Sequence, residues 1–164
     1  MKFMKIREVQ TPERATELAS GIDFFIPDFS AQFIYDLRSK NDNLQYEQSA
    51  IHLQPNTSIL IPMGIKVNID SGYDMVFHNK SGVASKLGLI VGAKVIDSDY
   101  QGELYLNLMN VCDKNVELKS DMKIIQGIIR KVELWKFERF YNETDLFKNE
   151  SSNRGDGGFG SFGE

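Results

Sequence analysis

The sequence predicts an all-β protein, a sandwich or barrel built from short strands. Apolar and β-branched runs recur along the chain, and turn signals such as SGY, YQGE and CDKN separate them at a spacing of roughly ten residues. Helical periodicity is poor over most of the chain. A length of 164 residues and a mass of 18.7 kDa fit one domain.

The predicted strands start near the amino terminus with residues 2–9 and the aromatic-rich residues 21–28. Residues 58–69 contain Pro62 and Gly64, which predict two short strands or a bulge rather than one long ladder. The other predicted strands are residues 73–79, 89–96, 104–111 and 124–132.

One helix is predicted, over residues 31–40, with Ser30 as its amino-terminal cap. The polar stretch that follows, NDNLQYEQS, can equally be a surface loop.

Composition and charge exclude several classes of function. The chain carries 19 Lys and Arg against 23 Asp and Glu, a net charge of −4, which disfavours general binding of nucleic acid. Cys112 is the single cysteine, and His52 and His78 are the two histidines. These counts exclude an internal disulfide framework, a multi-Cys zinc site and a His-rich metal centre. Without an apolar run of membrane-spanning length or an apolar signal core, we expect a soluble cytoplasmic protein.

The last sixteen residues, 149–164, are rich in glycine and cannot build a packed core. One interpretation is a floppy end. The other depends on Arg154, Phe159 and Ser161, which alternate with glycines. Glycine lets backbone amides approach an anion, Arg supplies a bidentate fork for phosphate, and Phe offers a face on which a base can stack. This combination suits a segment that closes over a nucleotide.

Two further stretches carry polar groups at the ends of apolar runs. In NKSGVA, residues 79–84, Lys80, Ser81 and Gly82 form either a small phosphate cradle or a plain β-turn. In VGAKVIDSDYQGE, residues 91–103, Asp97 is either a turn-forming residue or a carboxylate that orients a water molecule.

Two polar side chains interrupt predicted strands. Asp23 lies in GIDFF and is either an outer-sphere partner of a metal ion or a charge on an edge strand. Gln126 lies in KIIQGII, where a buried amide must bond to neighbouring backbone or face a site.

Five stretches, in this order along the chain, resemble the five ordered motifs of the homotrimeric dUTPase family, the dUTP nucleotidohydrolases. They are ASGIDF, NKSGVA, VGAKVIDSDYQGE, DMKIIQGII and RGDGGFGSFG. The resemblance covers about residues 23–164, and the third and fifth stretches are its most specific parts. An inserted segment at about residues 29–55 also fits a virus- or phage-encoded member, which would act in the host cytoplasm.

The resemblance implies a distorted jelly-roll β-barrel over residues 1–148 and a glycine-rich arm, residues 149–164, that closes over an active site. It implies a homotrimer with shared active sites, hydrolysis of dUTP to dUMP and pyrophosphate, and Mg²⁺ held mainly by the substrate phosphates. This activity limits uracil in DNA and supplies dUMP for dTMP synthesis. The expected partners are dUTP and other copies of the chain, with no nucleic acid and no membrane. The inserted segment offers a surface for a further protein partner.

The resemblance also assigns roles to residues. Asp97 matches the aspartate that positions the attacking water, and Asp23 would hold Mg²⁺ through a water molecule. The base and sugar would be recognised by a hairpin with the site residues Val91, Lys94, Val95 and Ile96, by Tyr100 under the deoxyribose, by Tyr105, and by Phe159 over the uracil. The phosphates would be bound by Lys80, Ser81, Gly82, Gln126, Arg154, Gly160 and Ser161.

The sequence departs from the family pattern at four positions. Lys80 stands where most members have Arg, and keeps the charge without the bidentate fork. Asn79 replaces a common Pro, Lys94 a common small residue, and Phe162 a small polar residue. Two alternatives stay open: a dCTP deaminase or bifunctional relative of the same fold, and a nucleotide-binding regulator.

Overall fold

The structure is a computed structural model that describes residues 1–42, 44–148, 150 and 152–157. The chain divides into two compact units, residues 1–133 and 134–164. The first unit contains β1 (Lys2–Lys5), β2 (Ile22–Phe25), α1 (Ala31–Lys40), β3 (Gln45–Glu47), β4 (Ala50–Leu53), β5 (Ser58–Pro62), β6 (Ile65–Asn68), β7 (Tyr73–Asn79), α2 (Ser81–Leu87), β8 (Leu89–Val91), β9 (Val95–Ile96), β10 (Tyr105–Asn110), β11 (Val116–Leu118) and β12 (Lys123–Lys131). The second unit contains α3 (Glu143–Phe147).

The prediction of an all-β fold is confirmed. The described strands form antiparallel sheets with the orders β2-β12-β7-β9, β5-β10-β8, β11-β4-β3 and β1-β6. Every helix in the described part of the chain is too short, or too polar, to cross a membrane.

The core of the first unit lies between these sheets, and burial of each large apolar side chain stabilises the fold by about 1.5–3 kcal/mol. Phe24 and Phe77 meet edge to face at its centre, with ring centroids 5.5 Å apart. The side chains that are almost completely buried include Phe24, Phe33, Leu37, Ile61, Phe77, Leu106 and Ile124.

Gly64 explains why residues 58–69 form two strands, as the sequence predicts. β5 ends at Pro62 and β6 begins at Ile65. Between them Gly64 has a φ of +70°, a left-handed conformation that side chains disfavour. A Cβ at this position would also lie 3.0 Å from the Cβ of Arg7. Glycine is therefore required where the chain turns from one sheet to the next.

The single strand predicted over residues 89–96 is wrong, because the structure divides it into β8 and β9. β8 pairs with β10, whereas β9 pairs with β7 in another sheet. Residues 91–96, called here the 91–96 connection, therefore pass between two sheets and do not form a hairpin of mutually paired strands. Gly92 lies in this connection, where a Cβ would stand only 2.0 Å from Asn107 Oδ1.

The segment around residues 29–55 is packed into the fold. α1 has the predicted bounds, and the Ser30 hydroxyl accepts a hydrogen bond from the Phe33 N–H at 3.1 Å. Phe33 and Leu37 point from α1 into the core and are fully buried. After the helix, the Asn41 side chain donates to the Leu60 carbonyl at 2.9 Å and accepts from the Leu60 N–H at 2.7 Å.

Several short elements were not predicted. β3 and β4 form a hairpin whose turn residues Gln48 and Ser49 both have positive φ values, 51° and 61°. Such turns normally use Asn or Gly, so the sequence carries no turn signal at this point. β11 and α3 are also absent from the prediction, and α2 begins at Ser81 in the stretch for which a plain β-turn was one of the two alternatives.

Candidate active site

Strand pairing brings together four side chains, Asp23, Lys80, Lys123 and Gln126, which we call the carboxylate cluster. Asp23 on β2 lies opposite Gln126 on β12, and β12 pairs on its other side with β7, which ends one residue before Lys80. Three of these residues belong to separate sequence stretches that were predicted to form one site. Lys123 was not predicted, because a lysine at the start of a strand carries no specific signal.

The carboxylate of Asp23 is buried between two cations. Its side chain is 4% exposed, and Oδ1 accepts a hydrogen bond from Lys80 Nζ. Oδ2 lies 3.3 Å from Lys123 Nζ but makes no hydrogen bond to the described residues. Lys123 is also bonded to Glu13 at 3.0 Å, and the bond to Glu13 and the pairing with Asp23 raise the pKa of Lys123. The Oδ2 atom of Asp23 thus lies beside a lysine ammonium group but has no hydrogen-bond donor among the described residues.

Gln126 and Asn79 link this cluster to the 91–96 connection. Gln126 Nε2 donates to the Asn79 carbonyl at 2.9 Å, and Asn79 Oδ1 accepts the Val91 N–H at 2.8 Å. A Cβ on Gly21 would lie 2.2 Å from Gln126 Oε1, so only glycine leaves room for this amide. In the sequence, the signal for Asn79 is that it stands where members of the resembled family commonly have Pro. A proline side chain could not accept the bond from Val91.

Ser81 and Gly82 lie at the start of α2 and are exposed. The cap residue, Lys80, makes no side-chain bond to the helix, and the first backbone N–H groups of a helix have no intrahelical acceptor. Apart from Gly82 itself, its two chain neighbours and the nearby backbone of α2, no described atom lies within 4 Å of the place where a Cβ on Gly82 would stand. A ligand can therefore approach this backbone closely.

A second group of predicted residues lines a pocket of about 200 Å³, which we call the loop pocket. Its lining includes Lys94, Val95, Ile96, Asp97, Tyr100 and Tyr105 from the predicted set, and Leu60, Phe77, Ala93, Leu104 and Asn107 in addition. The structure thus brings together six of the residues expected to bind the base, the sugar and the attacking water, whereas Val91 does not line this pocket and Phe159 lies outside the described residues.

Asn107 on β10 fixes the backbone of the 91–96 connection. Its carbonyl accepts the Gly92 N–H at 2.9 Å, and its side-chain Oδ1 accepts the Ala93 N–H at 3.1 Å. From the other side, the Phe77 N–H donates to the Lys94 carbonyl at 2.8 Å. Asn107 was missed, although an amide in the apolar strand YLNLMN is the same kind of signal that identified Gln126.

Gly92→Ala should disturb this arrangement. The new Cβ would lie 2.0 Å from Asn107 Oδ1, so the amide must move and the Ala93 N–H loses its acceptor. We expect a loss of about 1–3 kcal/mol in the free energy of unfolding and a higher KM for the nucleotide substrate. Urea unfolding and steady-state kinetics measure both. Asn107→Ala should reproduce the KM effect, and an unchanged KM in both variants would show that the connection does not depend on Asn107.

Asp97 and Tyr100 lie next to each other at the mouth of the loop pocket. The Tyr100 N–H donates to the Asp97 carbonyl at 3.2 Å, and the Tyr100 hydroxyl donates to the Glu103 carbonyl at 2.7 Å. Asp97 is exposed, and its carboxylate makes no hydrogen bond or ion pair within the described ranges. It is therefore able to accept a proton or a hydrogen bond from a bound water molecule.

Tyr105 lines the pocket from β10. Burial raises the pKa of its phenol above the ordinary value of 10, and the nearby Glu103 carboxylate acts in the same direction. The hydroxyl therefore stays protonated at neutral pH and can donate a hydrogen bond to a ligand.

Arg7 joins the amino-terminal segment to Glu103, which precedes the pocket-lining Leu104, and to α1. Its guanidinium forms a bidentate pair with Glu103, Nε to Oε1 at 2.6 Å and Nη2 to Oε2 at 2.8 Å. The same Nη2 lies 2.7 Å from Oδ2 of Asp36 on α1. The bonds to Glu103 and Asp36 raise the pKa of Arg7, and the bond from Arg7 lowers the pKa of Asp36.

Asp36→Asn should therefore change stability in a pH-dependent way. Because the folded-state pKa of Asp36 is lowered, its pairing stabilises the fold above the ordinary pKa of about 4 and is lost as pH falls through the lowered value. We expect the variant to unfold about 2–4 °C below the parent protein at pH 7, and the difference to vanish in strong acid. Thermal unfolding from pH 2 to 8 measures this. Asp113→Asn, at an exposed carboxylate without an ion pair among the described residues, is the control, and a pH-independent difference would contradict the pairing.

Of the predicted residues of the arm, the structure describes Arg154. Arg154 lies in the second unit, where its Nε donates to the Gly157 carbonyl at 2.8 Å. Phe159, Gly160 and Ser161 lie outside the described residues.

The residues present fit a magnesium ion only if the substrate supplies most of its ligands. Within the described ranges, no three His, Cys, Asp or Glu side chains are grouped to hold a metal. Mg²⁺ takes six oxygen ligands and is commonly bound through one or two carboxylates, waters and substrate phosphates. The unbonded Oδ2 of Asp23 provides one acceptor for a metal-bound water.

The chain is similar to known proteins of one family. Residues 22–163 match the family model described as dUTPase. The deoxyuridine 5′-triphosphate nucleotidohydrolase of Orientia tsutsugamushi (strain Ikeda) is 36% identical over 119 residues, which is 70% of this chain and 75% of the relative. That of Heliobacterium modesticaldum is 30% identical over 161 residues, or 95% of this chain and 91% of the relative.

Solved structures share the fold. The dUTPase of Staphylococcus bacteriophage 80alpha with dUpNHpp has a TM-score of 0.75 at 20% identity, covering 99% of this chain and 98% of the other. A dUTPase variant from phage phi11 of S. aureus, described with a structural Mg(II) ion, has a TM-score of 0.66 at 18% identity, covering 87% and 97%. These likenesses confirm the dUTPase-like fold that the family resemblance implies.

Proposed function

Because this chain belongs to the dUTPase family and is a dUTP diphosphatase, we propose that it hydrolyses dUTP with a water molecule positioned by Asp97. One observation carries the proposal: the exposed carboxylate of Asp97, which makes no bond to the described residues, lines a pocket whose backbone is fixed by Asn107. An acceptor next to a preformed binding pocket suits the activation of water beside a bound phosphate ester.

The loop pocket would bind the deoxyuridine. Its volume of about 200 Å³ suits one small base, and the fixed backbone of the 91–96 connection offers constant polar groups for uracil. In this proposal the ring of Tyr100 packs under the deoxyribose, and Tyr105 donates from its protonated hydroxyl. Val91, Lys94, Val95 and Ile96 act through the backbone, so Lys94 does not need to touch the base.

The carboxylate cluster and the arm would bind the triphosphate. Ser81 and Gly82 would donate at the start of α2, and Lys80, Gln126 and Arg154 would contact phosphate oxygens. Mg²⁺, when bound to the phosphates, offsets their charge, and Asp23 would accept from one of its waters. Lys80 bonds Asp23 in the structure, so its ammonium must turn from the carboxylate to reach a phosphate.

We propose that the complete site forms between copies of the chain in a homotrimer. Within the described ranges, no hydrogen bond or ion pair joins Asp97 or Tyr100 to the side chains of the carboxylate cluster. In this proposal the arm of one copy completes the site of another, with Phe159 over the uracil and with Gly160 and Ser161 at the phosphates. Analytical ultracentrifugation measures the assembly directly.

The proposed role is to limit uracil in DNA and to supply dUMP for dTMP synthesis in the cytoplasm. Each turnover removes one dUTP and releases dUMP and pyrophosphate. Both parts of the role therefore follow from one reaction.

The test is the release of pyrophosphate by the purified protein with Mg²⁺, with dUTP, dCTP, dTTP and UTP offered separately. Release from dUTP alone would support the reaction and the selection of base and sugar. Release of ammonia from dCTP would place the chain with the deaminases of this fold. A folded protein that acts on no nucleotide would contradict the proposal.

A further inference from the structure

Besides the bonds of Asn41 to the pocket-lining Leu60, ion pairs connect the inserted segment with the residue next to the pocket-lining Leu104, through the side chains of Asp36, Arg7 and Glu103. We call these three side chains the arginine bridge. We infer that the arginine bridge is a positioning device that holds Tyr100 in place and thereby sets the preference of the enzyme for deoxyribose over ribose. The inference depends on the proposed role of Tyr100 under the sugar.

The bridge fixes the backbone to which Tyr100 is bonded. The Glu103 side chain is 10% exposed, and both of its carboxylate oxygens are engaged by Arg7. Oε1 also accepts the Gly64 N–H at 2.8 Å. With its side chain held from two directions, Glu103 presents its carbonyl in a defined direction, and this carbonyl accepts the Tyr100 hydroxyl.

The other end of the bridge rests on α1. Asp36 receives a bond from Gln32 at 2.8 Å, one turn earlier in the helix. The helix itself is anchored by Phe33 and Leu37, which are fully buried. The Arg7 side chain, 16% exposed, therefore connects a rigid helix with Glu103 and cannot follow movements of the pocket freely.

Tyr100 depends on this backbone for its position because the ring lies over Gly102. A Cβ at residue 102 would stand 2.4 Å from the Tyr100 hydroxyl oxygen and 2.5 Å from Cζ. A small shift of residues 102–103 would thus move the ring. Since rejection of a 2′-hydroxyl requires the ring to stay in contact with the sugar, such a shift would admit ribose more easily.

The experiment compares Asp36→Asn and Glu103→Gln with the parent protein by the ratio of kcat/KM for dUTP to kcat/KM for UTP. Both substitutions are close in shape and remove one charge of the bridge. We expect the ratio to fall about 10-fold in each variant, through a lower KM for UTP and a higher KM for dUTP. Arg7→Lys keeps the charge but loses the fork, so its ratio should lie between those of the parent protein and Glu103→Gln.

The matched control is Asp74→Asn. Asp74 forms a bidentate pair with Arg130, at 3.0 Å and 2.5 Å, between β7 and β12, and its side chain makes no hydrogen bond or ion pair to Tyr100 or to the arginine bridge within the described ranges. The Asp74→Asn variant should lower thermal stability as the bridge variants do. Its ratio of kcat/KM for dUTP to kcat/KM for UTP should equal that of the parent protein. Equal ratios in the control and the bridge variants would overturn the inference, because the bridge would then contribute stability alone.

A double variant tests whether the arginine bridge acts on the substrate preference through Tyr100. Tyr100→Phe removes the hydroxyl that bonds Glu103, so adding Glu103→Gln to it should lower the ratio no further. If Glu103→Gln lowered the ratio in the Tyr100→Phe background as much as it does in the parent protein, the bridge would not act through Tyr100. Amide hydrogen exchange of residues 97–105 provides a readout that does not depend on dUTP hydrolysis. Faster exchange in Asp36→Asn than in Asp74→Asn would show that the bridge positions the backbone around Tyr100 even if the proposed reaction fails, and equal exchange contradicts this positioning.

Discussion

Asp97→Asn should lower kcat at least about 100-fold while the Kd of a non-hydrolysable dUTP analogue stays nearly unchanged. The substitution keeps the size of the side chain but removes the charge and the basicity needed to orient and deprotonate water. The Asp97 carboxylate makes no bond in the described part of the chain, so the thermal stability should also stay the same. Single-turnover kinetics with dUTP and calorimetric titration with the analogue separate chemistry from binding.

The control is Asp99→Asn, at the other exposed carboxylate of the same stretch. Asp99 does not line the loop pocket, so its substitution should change kcat little. If Asp99→Asn lost turnover and Asp97→Asn kept it, the assignment of the water-positioning residue would be wrong.

Removal of residues 154–164 should have the second large effect, a loss of about 100- to 1000-fold in kcat/KM for dUTP. The segment contains Arg154, Phe159, Gly160 and Ser161, which are proposed to bind phosphate and cover the base. All buried apolar residues of the described chain lie within residues 1–133, so unfolding of the truncated protein should match that of the full chain. Kinetics and circular dichroism on the two proteins measure the two properties separately.

Point variants in the full chain refine this prediction. Arg154→Lys keeps the charge and loses the bidentate fork, so we expect a smaller loss than in Arg154→Ala. Unchanged kcat/KM in the truncated protein would contradict this prediction and support the alternative, that the arm is a flexible end without function.

The sequence predicts those elements whose signals are local. Ser30 and the apolar spacing of Phe33 and Leu37 specify α1 with its observed bounds, and Pro62 with Gly64 separates β5 from β6. The division of residues 89–96 between two sheets is not local. It depends on Asn107, fifteen residues beyond Gly92, whose side chain takes the space of a Cβ at that glycine.

The same distinction applies to the candidate site. Asp23, Lys80, Asp97, Tyr100 and Gln126 were found because they lie in stretches with a family pattern. The groups that hold them were missed, because each acts over a long separation in sequence. Asn79 reaches Val91, and Arg7 reaches Glu103 across 96 positions. Only the folded chain shows which amide or guanidinium meets which partner.

The two bonds between the Asn41 side chain and Leu60 have a consequence for self-association. β5 is an edge strand of its sheet, with β10 as its neighbour, and the backbone groups on the other side of such a strand invite strand addition by another chain unless they are covered. The Asn41 amide occupies the Leu60 N–H and carbonyl as a neighbouring strand would. The segment after α1 thus blocks an edge at which aggregation begins, and does so with one side chain instead of an additional strand.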